Sequence, residues 1–436
     1  MRDWVGCDDS LFADGNAAAQ RGSRIRGVPA SPRHRGAQLS RPGSEPTPAA
    51  AEEIPRRILP VIVLSQFAGT ALWFAVNAVL PDLQADWRWP AAAVGTLTST
   101  VQLGFIAGTL VFAILTVADR FSPRLVFLLC ALAGAACTAI AATLDGDLAA
   151  LLVLRFATGF FLAGIYPVGM KIAAGWYHAG LGNALGFLVG ALVLGTAAPH
   201  GLRALSAAWP WQGVLCAVAA LAALGGVLMY ACVPDSPHLP QATRIDPRAL
   251  RAIVSDRKVR ASAFGYFGHM WELYTFWVLV PAIVATRIAP ARIGAVAFVV
   301  IAAGAVGCIA GGLLARRLGS ARVAAAQLAT SGACCLLAPV MLAAPLPLFA
   351  GWLLVWGVTV VGDSPQFSTL TAQNAPRTAV GSVLTFVNCI GFAITIGSIQ
   401  LFAGLAQHHS LVSVLPWLAI GPAAGLFWLR PLLERL

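Results

Sequence analysis

The chain has 436 residues, of which 58% are hydrophobic and 11% charged, with a net charge of +11 and a mean hydropathy of +0.77. Soluble domains carry about 25% charged residues, so this composition excludes a soluble globular protein and points to one embedded in a bilayer. The positive balance would suit nucleic acid, but the basic residues are distributed in a way that excludes that partner.

Residues 1–57 come first. They are rich in Arg, Pro, Gly and Ser and hold no apolar run, so they read as a disordered basic tail. No apolar h-region follows the charges, so the tail is not a signal peptide; the sequence leaves open an extension upstream of the true start. Twelve windows then reach the roughly 20 apolar residues that a bilayer-spanning helix needs. They are 58–80, 91–117, 125–144, 148–170, 182–200, 211–232, 261–285, 293–315, 323–343, 346–368, 380–403 and 411–429, numbered here as spans 1 to 12. The division between spans 3 and 4 rests on Asp145-Gly146-Asp147. Such long runs argue against a β-barrel, whose strands alternate over about ten residues. The expected fold is all-α and integral to the membrane.

The longest internal loop, 233–260, divides the spans six and six, giving segments 58–232 and 261–436. It opens on Pro234-Asp235-Ser236-Pro237 and continues with Arg244, Arg248, Arg251, Arg257, Lys258 and Arg260. Of the 29 Lys and Arg, seven precede residue 50; with the N-terminus inside, 17 more fall at cytoplasmic loops or ends and four fall outside. Arg155 is the remaining one, inside span 4. This is the positive-inside pattern, so both termini are expected in the cytoplasm. The basic residues set topology and attract anionic lipid. The cysteines lack Cys-x-x-Cys spacing and read as small packing residues. In span 5, Gly182, Gly186 and Gly190 repeat every fourth residue, which predicts close helix packing.

The halves look related. The loop after span 2 reads Ala118-Asp119-Arg120-Phe121-Ser122-Pro123-Arg124, and the loop after span 8 carries Arg316-Arg317-Leu318-Gly319. With the six-plus-six plan, these loops give the chain its resemblance to the major facilitator superfamily over about residues 55–436. The signature of that family is Gly-x-x-x-Asp-Arg-x-Gly-x-[Arg/Lys]. Asp119, Arg120 and Arg124 match it, while Leu115 and Ser122 stand where Gly is usual. In the second copy Gly312, Arg317 and Gly319 match, and Arg316 replaces the acid. The resemblance implies twelve transmembrane helices in two pseudo-symmetric six-helix halves. It also implies that Asp119, Arg120, Arg124, Arg316 and Arg317 form a conformational latch, with Asp119 accepting from a helix N-terminus in the other half and the arginines pairing with nearby acids. Simple topological anchoring is the competing role. A monomer is implied as well.

Within the spans the only charged residues are Arg155, Glu272 and Asp363. A charge in hydrocarbon is unfavourable by at least roughly 2.5–3.5 kcal/mol, so such residues face a water-filled cavity or a partner. They fall in spans 4, 7 and 10, which line the central cavity in the resembling family. Tyr266, His269 and Glu272 recur at three-residue spacing and so share a helical face. Glu272 is the expected proton carrier and His269 its relay, with a structural pairing of Glu272 to Arg155 as the alternative. Arg155 begins an Arg-x-x-x-Gly motif, Arg155 to Gly159, that resembles the fourth span of proton-coupled members; it is expected to meet Glu272 or an anionic substrate. Asp363 and Gln366 flank Pro365, which should bend span 10; Asp363 could serve as substrate contact, gate or helix cap. Gln66, Trp73 and Asn77, spaced seven and four apart, are candidate cavity residues in span 1, joined by Trp271 and Tyr274 in span 7.

No phosphate-binding loop, metal cluster or nucleophile elbow occurs, so no cofactor and no enzymatic activity are expected. The expected function is proton-coupled secondary transport of a small solute, an anion slightly favoured, across a bacterial inner (plasma) membrane. A drug or cation antiporter is the alternative, although the fifth span lacks the Gly-Pro dipeptide that drug antiporters of the family carry. A polytopic membrane enzyme or sensor is more remote.

Overall fold

Hydrocarbon offers no water to backbone N–H and C=O groups, so a spanning segment must satisfy them within itself. The computed structural model accordingly shows helices and no strand among its described residues, which are 54–89, 93–177, 181–206, 208–236 and 246–434. The expected tail lies, up to residue 53, outside the described residues, as do residues 237–245 of the central loop. Residues Ile54–Leu436 form one compact unit.

Among the described residues ten helices are long and apolar enough to cross a membrane, and they coincide with spans 2–6 and 8–12. Span 7 is α12 (Arg257–Ala285), less apolar because it carries the polar residues of the site. Its 29 residues reach about 43 Å, more than a bilayer core of about 30 Å. Span 1 departs from the expected continuous helix. It consists of α1 (Ile58–Thr70), a non-helical break at 71–74, α2 (Ala75–Ala78) and α3 (Leu80–Trp87). Pro81 opens α3, and Arg88, at φ 55, ends it in the left-handed region.

The next elements are α4 (Ala93–Ile114), a short α5 (Val117–Arg120), α6 (Pro123–Ala141), α7 (Leu148–Leu162) and α8 (Tyr166–Trp176). Spans 3 and 4 are separate helices: Gly146 turns the chain at φ 77, and the Asp147 carboxylate caps α7 by accepting from the Ala150 N–H at 3.0 Å. Then come α9 (Leu181–Leu205) and α10 (Trp211–Cys232). After the central loop a short helix, α11 (Arg248–Ser255), buries Ala249 and Ile253. Asp256 caps α12 by accepting from Lys258 N and Val259 N, so span 7 starts four residues before the expected 261. The remainder is α13 (Pro290–Leu318), α14 (Ser320–Ala343), α15 (Leu346–Gly362), α16 (Ser364–Asn374), α17 (Val380–His408), α18 (Leu411–Val414) and α19 (Ile420–Leu433).

One arrangement occurs twice. A Cβ on Gly159 of α7 would collide with the Val101 carbonyl of α4, and one on Gly357 of α15 would collide with the Val300 carbonyl of α13. Each glycine therefore lets two helices approach to backbone contact. Spans 4 and 10 then both break, at 163–165 and at Asp363, and both resume with proline in the first turn, Pro167 and Pro365. Each proline follows its glycine by the same interval. The spacing predicted for span 5 behaves otherwise: nothing lies within 4 Å of a Cβ on Gly182, and Gly186 and Gly190 have only ordinary contacts. The tight glycines of that helix are Gly195, against Thr70 and the Phe67 carbonyl of α1, and Gly201, against the Phe298 ring of α13. Contacts of α4 with α17 and of α9 with α13 join segments before and after the central loop.

Candidate functional site

Arg155 is buried on α7, and its guanidinium faces the break in span 1. Nη1 donates to the Leu72 carbonyl at 3.1 Å and Nη2 to the Trp73 carbonyl at 2.5 Å, while Nε has no partner among the described residues. Broken helices are tolerated at membrane depth when other groups satisfy the freed backbone, and a planar fork suits two adjacent carbonyls. The expected pairing of Arg155 with Glu272 does not occur. The fork is taken up by backbone oxygens, and the Glu272 carboxylate is held by other helices.

Glu272 is buried between span 7 and its neighbours α14 and α15. Oε1 accepts from Trp356 Nε1 at 2.6 Å and from Cys335 Sγ at 3.2 Å, and Oε2 accepts from Ser331 Oγ at 2.9 Å. Both oxygens are engaged, and neither His269 nor Arg155 is among the partners. Cys335 thus does more than pack.

His269 turns instead to the break in span 10. Its Nδ1 lies 2.8 Å from Asp363 Oδ1, with both side chains wholly buried. The contact lacks the alignment of a hydrogen bond, and His269 Nε2 and Asp363 Oδ2 have no partner among the described residues. Asp363 occupies the N-cap position of α16 without an aligned side-chain cap bond. Pro365 does mark the bend, and Gln366 is buried beside it. Tyr266, one turn before His269, donates to Asn388 Oδ1 of α17 at 3.0 Å. The shared face of Tyr266, His269 and Glu272 therefore meets three different neighbours.

Aromatic rings cross the centre. Trp73 stacks on Phe392 at 5.5 Å and tilts against Phe105 at 4.9 Å; Tyr274 lies 5.8 Å from Trp73 and 5.3 Å from Phe392. Trp73 and Tyr274 thus lie in one aromatic cluster. Trp271 does not join them: its ring packs edge-on against Phe402 and against Gly421 of α19. Trp73 donates to Gln102 Oε1 at 3.2 Å and Asn77 to Thr98 Oγ1 at 2.7 Å, both on α4. Gln66 faces α8, where Gly169 makes room for its amide, and neither amide atom has a partner among the described residues. The break in span 1 separates Gln66 from the other two, so the expected single face is divided.

At the signature loop, Asp119 pairs with Lys171 of α8, not with a helix N-terminus beyond the central loop, because Lys171 also donates to the neighbouring Ala118 carbonyl and sits directly over the acid. Arg124 does find an acid, Asp235, at 3.2 Å, and Ser122 donates to the same carboxylate. Arg120, Arg316 and Arg317 are exposed. Ser331, Trp356, Asn388, Phe392 and Gln102 were not singled out from sequence. Neutral residues of common type carry no signal until a partner is known.

Solved structures share this fold. A point mutant of the nucleoside transporter NupG superposes with a TM-score of 0.67 at 13% identity, covering 86% of this chain and 99% of that one. The human organic anion transporter MFSD10 (TETRAN) gives 0.64 at 16% identity, covering 86% and 99%. A bacterial homolog of the human lysosomal transporter Spinster, in an inward-facing and unoccupied conformation, gives 0.61 at 14% identity, covering 87% and 96%. No curated protein matches the sequence. The profile of the Major Facilitator Superfamily matches residues 62–430, well over half of the chain, and the chain belongs to that family.

Proposed function

We propose that this protein is a proton-coupled secondary transporter of a small solute, in which the buried His269–Asp363 pair carries the coupling. Membership of the family and the likeness to transporters support secondary transport. The repeated glycine contact and proline break of spans 4 and 10 support two pseudo-symmetric halves, 58–232 and 261–436, that rock about a central site. In this reading both termini lie on the cytoplasmic side of the plasma membrane: an even number of spans keeps them on one side, and the distribution of Lys and Arg favours the inside.

The observation that carries the coupling is the pair itself. His269 and Asp363 meet at a helix break, wholly buried, each with a polar atom lacking a partner among the described residues. A histidine facing a carboxylate is suited to take up and release a proton. Glu272, with both oxygens engaged, is better placed to tie spans 7, 9 and 10 together. Arg155 holds the break in span 1, which leaves the preference for an anion without a free cation behind it. The neighbours' names speak of nucleosides and of organic anions; one fold serves different solutes.

The test begins with a thermal-shift screen of the purified protein against small anions, cations and neutral metabolites. A ligand at 100 times its Kd adds about 2.7 kcal/mol of stability. The hit is then assayed in proteoliposomes under an imposed proton gradient. Wild-type accumulation should collapse with a protonophore, and Asp363→Asn should lose accumulation while retaining solute exchange. Accumulation that survives the protonophore would falsify proton coupling.

A further inference from the structure

A cavity of about 260 Å³ opens at the end of the bundle away from the signature loop. Asn77 of α2, Val94 of α4, His200 of α9, Trp277 of α12 and Gln407 of α17 contribute to its wall, so it lies between helices from both sides of the central loop. Trp277 follows His269 by eight residues, about 12 Å along the helix. Neither His269 nor Asp363 lines it, so the cavity is separate from the His269–Asp363 pair.

Two properties of the wall define what it takes. Among the described lining residues there is no Asp, Glu, Lys or Arg. Removing an ion from water without a counter-charge is unfavourable by several kcal/mol, so a charged solute gains nothing here. Yet three lining residues hold a polar atom without a partner among the described residues: Asn77 Oδ1, His200 Nε2 and Trp277 Nε1. Trp277 is 0% and His200 4% exposed, and buried polar groups are normally hydrogen-bonded. An indole N–H asks for an acceptor and an amide oxygen for a donor. The rest of the wall is apolar and aromatic, with Phe74 set edge-on to Trp277 at 6.1 Å, a surface that receives a flat ring.

We propose that this cavity is a solute-binding subsite for a neutral, ring-bearing molecule that carries at least one hydrogen-bond donor and one acceptor, held at one end of the transport path. The subsite rests on the transporter reading for its role. Its volume is below the roughly 300–1,000 Å³ of drug-sized sites, so metabolite-sized rings fit it.

Nicotinamide, nicotinate and 1-methylnicotinamide share one ring and differ in charge: neutral, anionic and cationic. Calorimetric titration of the purified full chain with each measures the discrimination directly. Nicotinamide should bind at least tenfold more tightly than either charged analogue. Trp277→Phe, which keeps an aromatic ring and deletes the N–H, should weaken nicotinamide at least fivefold, and Arg248→Gln, an exposed change on α11 outside the cavity wall, should leave it unchanged. If Trp277→Phe does not fold, His200→Gln carries the same test. Equal or tighter binding of a charged analogue, no binding of nicotinamide at millimolar concentration, or full binding in a folded Trp277→Phe or His200→Gln overturns the proposal. Binding without accumulation in proteoliposomes keeps the subsite and removes the transporter reading; accumulation of a solute without this charge discrimination does the reverse.

Discussion

Two buried carboxylates lie in this membrane bundle, and their surroundings are opposite. Glu272 receives an indole N–H, a hydroxyl and a thiol on its two oxygens. Asp363 meets a single ionisable side chain, that of His269, and neither of its oxygens has an aligned side-chain hydrogen bond among the described residues. A carboxylate whose acceptor positions are filled is held in one geometry and has nothing to exchange. One short of partners keeps a position for a proton, a water or a ligand. The number of donors around a buried acid, more than its burial, separates the anchor from the candidate switch.

Substitutions can break that contrast or sharpen it. The largest effect is expected for Glu272→Ala, which leaves the Trp356 indole N–H and the Cys335 thiol without an acceptor, while Ser331 keeps the Leu328 carbonyl. Each such donor costs about 1–3 kcal/mol, so thermal melting in detergent should show a loss of about 3 kcal/mol or more. An unchanged melting curve would erase the distinction between the two acids. Arg155→Lys comes next. An ammonium cannot span two adjacent carbonyls as a guanidinium does, and the loss of one charge-assisted bond should lower stability by about 2 kcal/mol. Normal stability in that variant would mean that the break in span 1 holds without the fork. Asp363→Asn should shift melting by less than about 1 kcal/mol while gradient-driven accumulation falls at least tenfold, about 1.4 kcal/mol. The reverse outcome, a large melting shift with normal accumulation, would make Asp363 the anchor. The smallest effect is the coupling between His269→Gln and Asp363→Asn. A double-mutant cycle should return about 1 kcal/mol, and strict additivity would show that the 2.8 Å contact carries no energy.

Much of the fold is legible in the sequence because the bilayer imposes it. Runs of about 20 apolar residues can only be helices there, and the Asp147 cap and Gly146 turn between spans 3 and 4 are local signals that survive in three dimensions. Span 1 reads as continuous because apolar content says nothing of a break that Arg155 supports from another helix. The recurrence of Gly159 with Pro167 and of Gly357 with Pro365 stands in the sequence, but its meaning needs the partner carbonyls of Val101 and Val300. The Gly182-Gly186-Gly190 spacing has the same look and no close partner.

The site divides in the same way. That Arg155, Glu272 and Asp363 matter follows from sequence alone, since a charge in hydrocarbon persists only with a compensating environment. What each one meets was decided by tertiary structure. Residues three apart on α12 point about 60° apart around the axis, enough for His269 to reach the break in span 10 at Asp363 while Glu272 reaches Ser331 of α14 and Trp356, seven residues before that break. Spacing along one helix determines which side chains are neighbours on its surface. It does not determine which helix packs over each of them, and for a buried charge that second helix sets the chemistry.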